Sequence, residues 1–319
     1  QLTIVSPYGI IHSMVMEKSM KIMVTGGSGL VGSAIHAHFK PTKDELDLME
    51  LDSIVDYIED NEITHIIHCA AKVGGIKANM EHLGEFFYEN IIMNTNLLEA
   101  SRVCGVEKVV SFMSTCVFPD DAIYPLSPDQ IHNGEPHSSN YAYAYAKRML
   151  EVQSRAYREQ YGCNFVTVIP CNIYGPNDNF DLNSSHVIPA LIRKCYEAKE
   201  DGTDFEVWGT GKAYREFVYV DDVATIATWV LHNYNEPEPF IISPDEEINM
   251  SILAQTIMFK MNGHGTIIYD HTKPDGQLKK PSDNSILHRC LPKFPFTPIQ
   301  EGLSKTINWF LSEYGVHIL

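Results

Sequence analysis

The stretch Thr25-Gly26-Gly27-Ser28-Gly29-Leu30-Val31-Gly32 decides how the chain is read. An apolar run, Ile22-Met23-Val24, precedes it, and an amphipathic run over residues 30–39 follows. That order predicts a strand, a glycine turn and a helix. The spacing Gly26-x-x-Gly29-x-x-Gly32 suits a dinucleotide site. One glycine permits the tight turn, one admits a pyrophosphate close to the backbone, and one lets helix and strand pack tightly. The helix N-terminus offers free N–H groups and a positive dipole end to phosphates. Gly26, Gly27, Ser28, Gly29, Leu30, Val31 and Gly32 are therefore the first cofactor-binding candidates. The plainer alternative is an ordinary glycine-rich βα turn. The flanking strand and helix, which the phosphate-binding mechanism demands, favour the ligand-binding reading.

Outward from this turn the pattern alternates. The helical spacing of residues 30–39 stops before Pro41, and a second helix is expected over about 52–60, with Ile54, Val55 and Ile58 inward. Only residues 40–49 lie between them. A dinucleotide fold normally places there a second strand and the residue that reads the adenosine ribose, so this strand must be very short or missing. Strands follow at 63–69, 108–113 and 165–169. Long helices are expected at 85–104 and 141–161, the latter closed by Gly162. This alternation predicts an α/β fold, a doubly wound parallel sheet of the Rossmann type. Ligands bind such sheets beyond the carboxyl ends of the strands.

After Pro176 the pattern changes to a loop at 177–185, a helix at 186–198, a strand at Phe205–Trp208 and Pro-rich turns from Glu236. The expected division is a dinucleotide-binding domain of residues 21–176 and 217–243, and a smaller α+β substrate domain of 177–216 and 244–319. The segment 217–234 would pack back on the sheet, and the loop 272–282 would order on ligand binding. Residues 1–20 show no clear period and lack the basic region, apolar region and cleavage site of a signal peptide. They read as an N-terminal extension, with the fold starting at Lys21.

The 319 residues carry 44% hydrophobic and 20% charged side chains, the make-up of an ordinary globular protein with a sizeable core. No apolar run approaches the roughly 20 residues that span a bilayer. The net charge of −17 argues against a nucleic-acid partner and leaves any anionic ligand to local cations. Seven cysteines, an odd number without C-x-x-C spacing, favour a reducing, cytoplasmic location over a disulfide framework. His65 and His68 fall on opposite faces of a strand and have no supporting ligand cluster, so no metal site is expected.

Tyr143-x-x-x-Lys147 places both side chains on one helix face. A lysine there can bind a cofactor ribose and lower the tyrosine pKa, so that the tyrosine gives a proton to a carbonyl oxygen as hydride arrives. The spacing alone is weak, since Tyr269-x-x-x-Lys273 repeats it. Context lifts the first match: a strand upstream ends in Ser114, whose hydroxyl can bond the same carbonyl.

With Gly26 to Gly32, Ser114, Tyr143 and Lys147 in place, the chain resembles the extended short-chain dehydrogenase/reductase family. Ala71-Lys72-Val73-Gly74-Gly75-Ile76, Ser114-Thr115-Cys116-Val117-Phe118-Pro119, Asn172-Ile173-Tyr174-Gly175-Pro176-Asn177-Asp178-Asn179-Phe180 and Ser185-His186-Val187-Ile188-Pro189 narrow the likeness. They are similar to the GDP-4-keto-6-deoxy-D-mannose 3,5-epimerase/4-reductases, over residues 21–310. The resemblance implies epimerisation of that sugar at C3 and C5, then reduction of its C4 ketone with NADPH to give GDP-L-fucose.

It also implies roles. Ser114, Tyr143 and Lys147 would serve the ketone, while Cys116 as base and His186 as acid would serve epimerisation, the thiol being helped to ionise by the histidine. NADP(H) would be held by the glycine turn, Lys43, Asp47, Leu48, Ala70, Ala71 and Lys72. Phe112, Met113, Ser114, Tyr143 and Lys147, then Pro170, Asn172, Ile173 and His186, would complete its site. The GDP-sugar would meet Ser114, Asn172, Val187, Lys194, Trp208, Arg215, Asp275 and Lys280. A homodimer through a four-helix contact of 85–104 and 141–161 is implied as well.

The main departure lies at residues 40–47, shorter than in that family. Lys43 is the aligned cation for the 2′-phosphate of NADP, while Asp44, Glu45 and Asp47 could instead accept the ribose hydroxyl of NAD. The competing functions are a nucleotide-sugar 4-epimerase, a 4,6-dehydratase, or a cofactor-binding regulatory protein without catalysis. Dehydratases need acidic residues where Cys116-Val117 stand. A simple 4-epimerase needs neither Cys116 nor His186. A non-catalytic protein would be expected to have lost part of the Ser114, Tyr143, Lys147 set.

Overall fold

The computed structural model describes residues 4–5, 11–12, 19–273 and 277–314. In the N-terminal segment, β1 (Ile4–Val5) pairs antiparallel with β2 (Ile11–His12). The central sheet starts with β3 (Ile22–Thr25), and the glycine turn leads into α1 (Leu30–Ala34). Then come α2 (Leu51–Asp60), β4 (His65–His68), α3 (Ile76–Glu81), α4 (Leu83–Val103) and β5 (Lys108–Phe112). Helix α5 (Tyr141–Tyr161), β6 (Phe165–Pro170) and β7 (Asn172–Tyr174) follow, and Gly162 ends α5 at φ 71 as the sequence indicates.

The C-terminal half holds α6 (Val187–Asp201), β8 (Phe205–Trp208), β9 (Tyr214–Tyr219), α7 (Val220–Asn233), β10 (Phe240–Ile242) and β11 (Glu247–Asn249). It closes with α8 (Met250–Lys260), β12 (Ile267–Asp270), α9 (Ser285–Cys290) and α10 (Ile299–Tyr314).

Five strands form one parallel sheet in the order β10-β6-β5-β4-β3. Neighbouring residues of each strand feed opposite cores, as the two-residue strand period requires. Val24, Ile67, Val110 and Val166 pack with Val223, Ile226 and Val230 of α7. Met23, Ile66, Val109 and Phe165 pack with Ile54 of α2, Leu97 of α4 and Leu150 of α5. Both faces are covered, which is why the strands read as continuous apolar runs. The doubly wound sheet is therefore observed, and 217–234 packs back on it through α7. A third core joins α6, α8 and α10 to β8 and β9, with Phe180, Phe205, Leu253 and Phe310 fully buried.

The first crossover differs from the sequence expectation. The helix of residues 30–39 stops at Ala34, and Ile35 is already extended. The chain turns back so that Phe39 forms a single parallel bridge to Met23, with Val24 N donating to Phe39 O at 2.9 Å. A helix carried to residue 39 would leave the outer edge of β3 without a backbone partner. The expected second strand of the dinucleotide fold is thus reduced to one residue, just before the 40–49 interval where it was sought.

Lys108 opens β5 yet is buried. Its ammonium donates to Val230 O and Tyr234 O, both at 2.7 Å, and to Asn235 Oδ1 at 3.0 Å, closing the C-terminal end of α7. Among the described residues no helix is long and apolar enough to cross a membrane, and no group of three or more His, Cys, Asp or Glu could hold a metal.

Candidate active site

The carboxyl ends of the parallel strands lie along one edge of the sheet. At the end of β3, Gly26 adopts φ +69, and a Cβ there would sit 2.8 Å from Ala70 N and Cα. A Cβ on Gly32 would lie 2.1 Å from Gly26 O. The protein's own packing therefore forces both glycines. Gly29 is different: its Cβ would meet only Gly26 O, at 3.5 Å, and no side chain caps the helix that it opens. Open space beside an uncapped helix start fits a pyrophosphate at the position where the motif calls for one.

At the end of β4, Ala70 N donates to Thr25 Oγ1 at 3.3 Å. The fully buried His68 joins Thr25 Oγ1 (2.8 Å from Nδ1) to Asn94 Oδ1 (2.9 Å from Nε2). Asn94 Nδ2 donates to Ala146 O of α5, so its oxygen faces the ring, and His68 carries its proton on Nε2. Burial, then the nearby Lys147 charge, pushes its pKa down to about 3. The sequence reading of His68 as structural holds, and the structure adds that it ties the glycine-turn strand to both flanking helices. Lys72 is committed elsewhere, to Glu85 at 2.8 Å and Glu89 at 2.5 Å. Only its backbone stands with Ala70 and Ala71 at the strand end.

At the end of β5, Phe112 and Met113 are buried, leaving Ser114 to open a 3-10 turn, Thr115–Val117. Ser114 Oγ accepts from Cys116 N at 3.4 Å. Helix α5 lays Lys147 beneath this turn: it is 2% exposed, and Nζ donates to Phe112 O at 2.9 Å. Burial pushes its pKa down to about 8. Its Nζ lies 6.0 Å from the Tyr143 ring centroid. The expected lowering of the tyrosine pKa does not occur here. Desolvation, then the Cys116 side chain, pushes it up, and the Lys147 ammonium donates to a backbone carbonyl.

The Cys116 thiol is also raised by burial, opposed by the Ser114 hydrogen bond and then by the charges of Lys280 and Lys147. These lysines, rather than the expected histidine, favour the thiolate. The physical reason is that His186, though it keeps an exposed face, is partly desolvated, which lowers its pKa and holds it toward its neutral form. His186 stands at the N-cap of α6 without a side-chain capping bond. The segment before it is pinned by Gly75 N to Ser184 O at 2.8 Å. Val187 follows on the exposed side of α6.

Pro170 ends β6, and Asn172 and Ile173 begin β7. Asn172 Nδ2 donates to Glu216 O at 2.8 Å. Lys194 and Lys273 lie over the Trp208 ring at 4.4 and 5.3 Å, and that tryptophan is 53% exposed, which excludes core packing as its role. Arg215 lies on β9 next to Glu216. Lys280 stands between the distal cations and the Ser114–Cys116 turn: its Nζ donates to Thr115 O at 3.2 Å, beside Cys116, and it feels the Arg215 charge. Asp275 lies outside the described residues.

Two further expectations shift. Leu48 is buried with Ile54 and Leu97, so only its backbone could meet a cofactor. Asp47 Oδ1 is taken by Met49 N at 2.9 Å, and Lys43 is exposed.

Glu216 was not legible as a site residue. It is buried, and its carboxylate accepts Ser282 N at 3.0 Å, Ser282 Oγ at 2.8 Å and Ser243 Oγ at 2.7 Å. Leu126 N to Pro281 O and Asp283 N to Leu126 O, both 2.8 Å, hold the same segment from the other side. A single acid in a strand gives no periodic signal that would have marked it.

The family model for the NAD dependent epimerase/dehydratase family matches residues 22–243. The GDP-L-fucose synthase of Dictyostelium discoideum is 45% identical over 306 residues, covering 92% of this chain and 96% of that one. The chain belongs to the NAD dependent epimerase/dehydratase family, in its GDP-L-fucose synthase branch. The GDP-L-colitose synthase of Yersinia pseudotuberculosis, 36% identical over 92% of this chain and 99% of its own, falls in the same family. The crystal structure of a GDP-L-fucose synthetase from Naegleria fowleri bound to NADP superposes with a TM-score of 0.88. It is 39% identical and covers 94% of this chain and 95% of that one. That fold is the Rossmann-type family fold expected from the glycine turn.

Proposed function

We propose that the chain converts GDP-4-keto-6-deoxy-D-mannose to GDP-L-fucose, inverting C3 and C5 and then reducing the C4 ketone, two activities in one pocket. The carrying observation is the meeting of the Ser114–Cys116 turn with Tyr143, Lys147 and Lys280. The higher identity to the Dictyostelium synthase, 45% against 36% for the colitose synthase, supports the fucose product.

The C4 ketone acidifies the protons at C3 and C5, since the enolate spreads its charge onto oxygen. Ser114 and Tyr143 hydroxyls donate to that oxygen. Cys116 removes the proton as thiolate, with Lys280 and Lys147 as its cationic company. His186 returns a proton from the opposite face as imidazolium, the form that desolvation disfavours but also makes the more acidic. NADP(H), when bound along the glycine turn, supplies the hydride for C4. Tyr143, whose surroundings favour its protonated form, gives the proton to the C4 oxygen, and Lys147 keeps positive charge beneath it.

The diphosphate and base fall to Lys194, Trp208, Arg215 and Lys280, with Val187, Asn172 and Asp275 completing the substrate contacts. Lys194 keeps charge without the bidentate fork of an arginine. Residues 21–176 with 217–243 then form the nucleotide domain, and 177–216 with 244–319 the substrate domain. A cytoplasmic homodimer completes the reading, with Phe87, Tyr88 and Tyr141 as exposed apolar side chains on α4 and α5.

Incubation with the keto sugar and NADPH in D2O, read by NMR, tests the proposal. GDP-L-fucose labelled at C3 and C5 is expected. Cys116→Ser should lose the label while still binding NADPH. A product unlabelled at C3 and C5, or no turnover by folded protein, overturns the reading.

A further inference from the structure

We propose that Lys40, carried onto the glycine turn by the one-residue strand remnant at Phe39, is the cation that recognises the 2′-phosphate of NADP(H) in this chain. This deepens, and rests on, the reading of the cleft as an NADP(H) site. In a dinucleotide fold the ribose is read by the residue that leaves the second strand beside the glycine turn. Here Phe39 is the whole of that strand, bridged to Met23 and accepting from Val24 N. The residue that leaves it is therefore Lys40.

Its stem lies on the turn itself. A Cβ added to Gly27 would come within 2.7 Å of Lys40 Cβ, 3.2 Å of Cγ and 3.3 Å of Cδ. This contact gives the second glycine of the turn a reason to be glycine that lies in the protein, and it fixes where the lysine runs. Its ammonium donates once, to Ser33 O at 3.0 Å, and keeps two donors for a ligand.

The rival residues are placed otherwise. Lys43, the cation that alignment would choose, is exposed and makes no hydrogen bond or ion pair among the described residues. Two of the three acids that could have accepted an unphosphorylated ribose are spent on their own turns. Glu45 takes Thr42 N at 2.8 Å and Thr42 Oγ1 at 3.0 Å, and Asp47 takes Met49 N. A phosphate arriving beside Lys40 meets a cation held in place, with those carboxylates already engaged.

The test is direct binding of NADPH and NADH, by calorimetry, to the intact protein and to Lys40→Met, Lys40→Arg and Lys43→Met. Lys40→Met keeps the stem and removes the charge. It should weaken NADPH about 10- to 100-fold, the scale of a lost charge-assisted bond, and leave NADH within about 2-fold. Lys40→Arg should retain NADPH, and Lys43→Met should change it less than about 3-fold. Loss confined to Lys43→Met, or equal weakening of both nucleotides by Lys40→Met, overturns the assignment of Lys40. A wild-type protein that binds NADH as tightly as NADPH instead overturns the NADP reading beneath it.

Discussion

Cys116 shows what a single residue must overcome. Burial works against its thiolate, and the Lys280 charge is the largest cationic contribution in its favour. Removing that charge raises the thiol pKa further, so a base that needs the thiolate becomes active only at higher pH. Lys280→Met should therefore move the rising limb of the pH profile for C3 and C5 proton exchange to higher pH. Deuterium washout from the substrate measures this, and an unmoved limb would detach Lys280 from the thiol. The placement of Ser114, Tyr143 and Lys147 was legible in the sequence, because it depends on one strand end and one helical spacing. The company of Cys116 was not: Lys280 is 164 residues away in the chain and reaches Thr115 only through the fold. Glu216 was hidden too, because its serine partners lie 66 and 27 residues away in the chain.

Among the elements, α2, α4 and α5 lie within two residues of their sequence expectations, since apolar periodicity and the glycine after α5 mark them locally. The first crossover was misread for a physical reason. Residues 30–39 satisfy a helical period, but the unpaired edge of β3 claims Phe39, and tertiary demand overrides local pattern. The loop 272–282 was expected to order on ligand binding. Its described part is already strapped between Leu126 and Glu216. Ser282→Ala removes one hydroxyl from a buried carboxylate and should cost about 1–3 kcal/mol of stability. Because this strap also sets Lys280 against Thr115, the KM for the GDP-sugar should rise while NADPH affinity is unchanged. Denaturant titration and steady-state kinetics check both. A rise in the NADPH dissociation constant would place the effect in the nucleotide half instead.

For the molecule as a whole, His68 links sheet, glycine turn and two helices through one buried ring. Its pKa is about 3 when folded, against about 6.5 in an unfolded chain. Between these values the unfolded state holds a proton that the folded state refuses. Its contribution is therefore present above pH 6.5 and is lost as pH falls toward 3, by up to about 1.4 kcal/mol per pH unit. Urea unfolding at pH 7, 6, 5 and 4 should show this decline, and in His68→Gln the slope should be shallower by about one proton. An unchanged slope would mean that the ring charges without cost.

The margin at Phe39 carries a last implication. A polypeptide that finishes its sheet with one residue has left the nucleotide turn thinly backed, and the bound dinucleotide is the natural buttress. Anything that grips only the folded form shifts the folding balance in proportion to the logarithm of its free concentration. Nucleotide supply would then govern not just how fast the protein works but how long each copy withstands a protease.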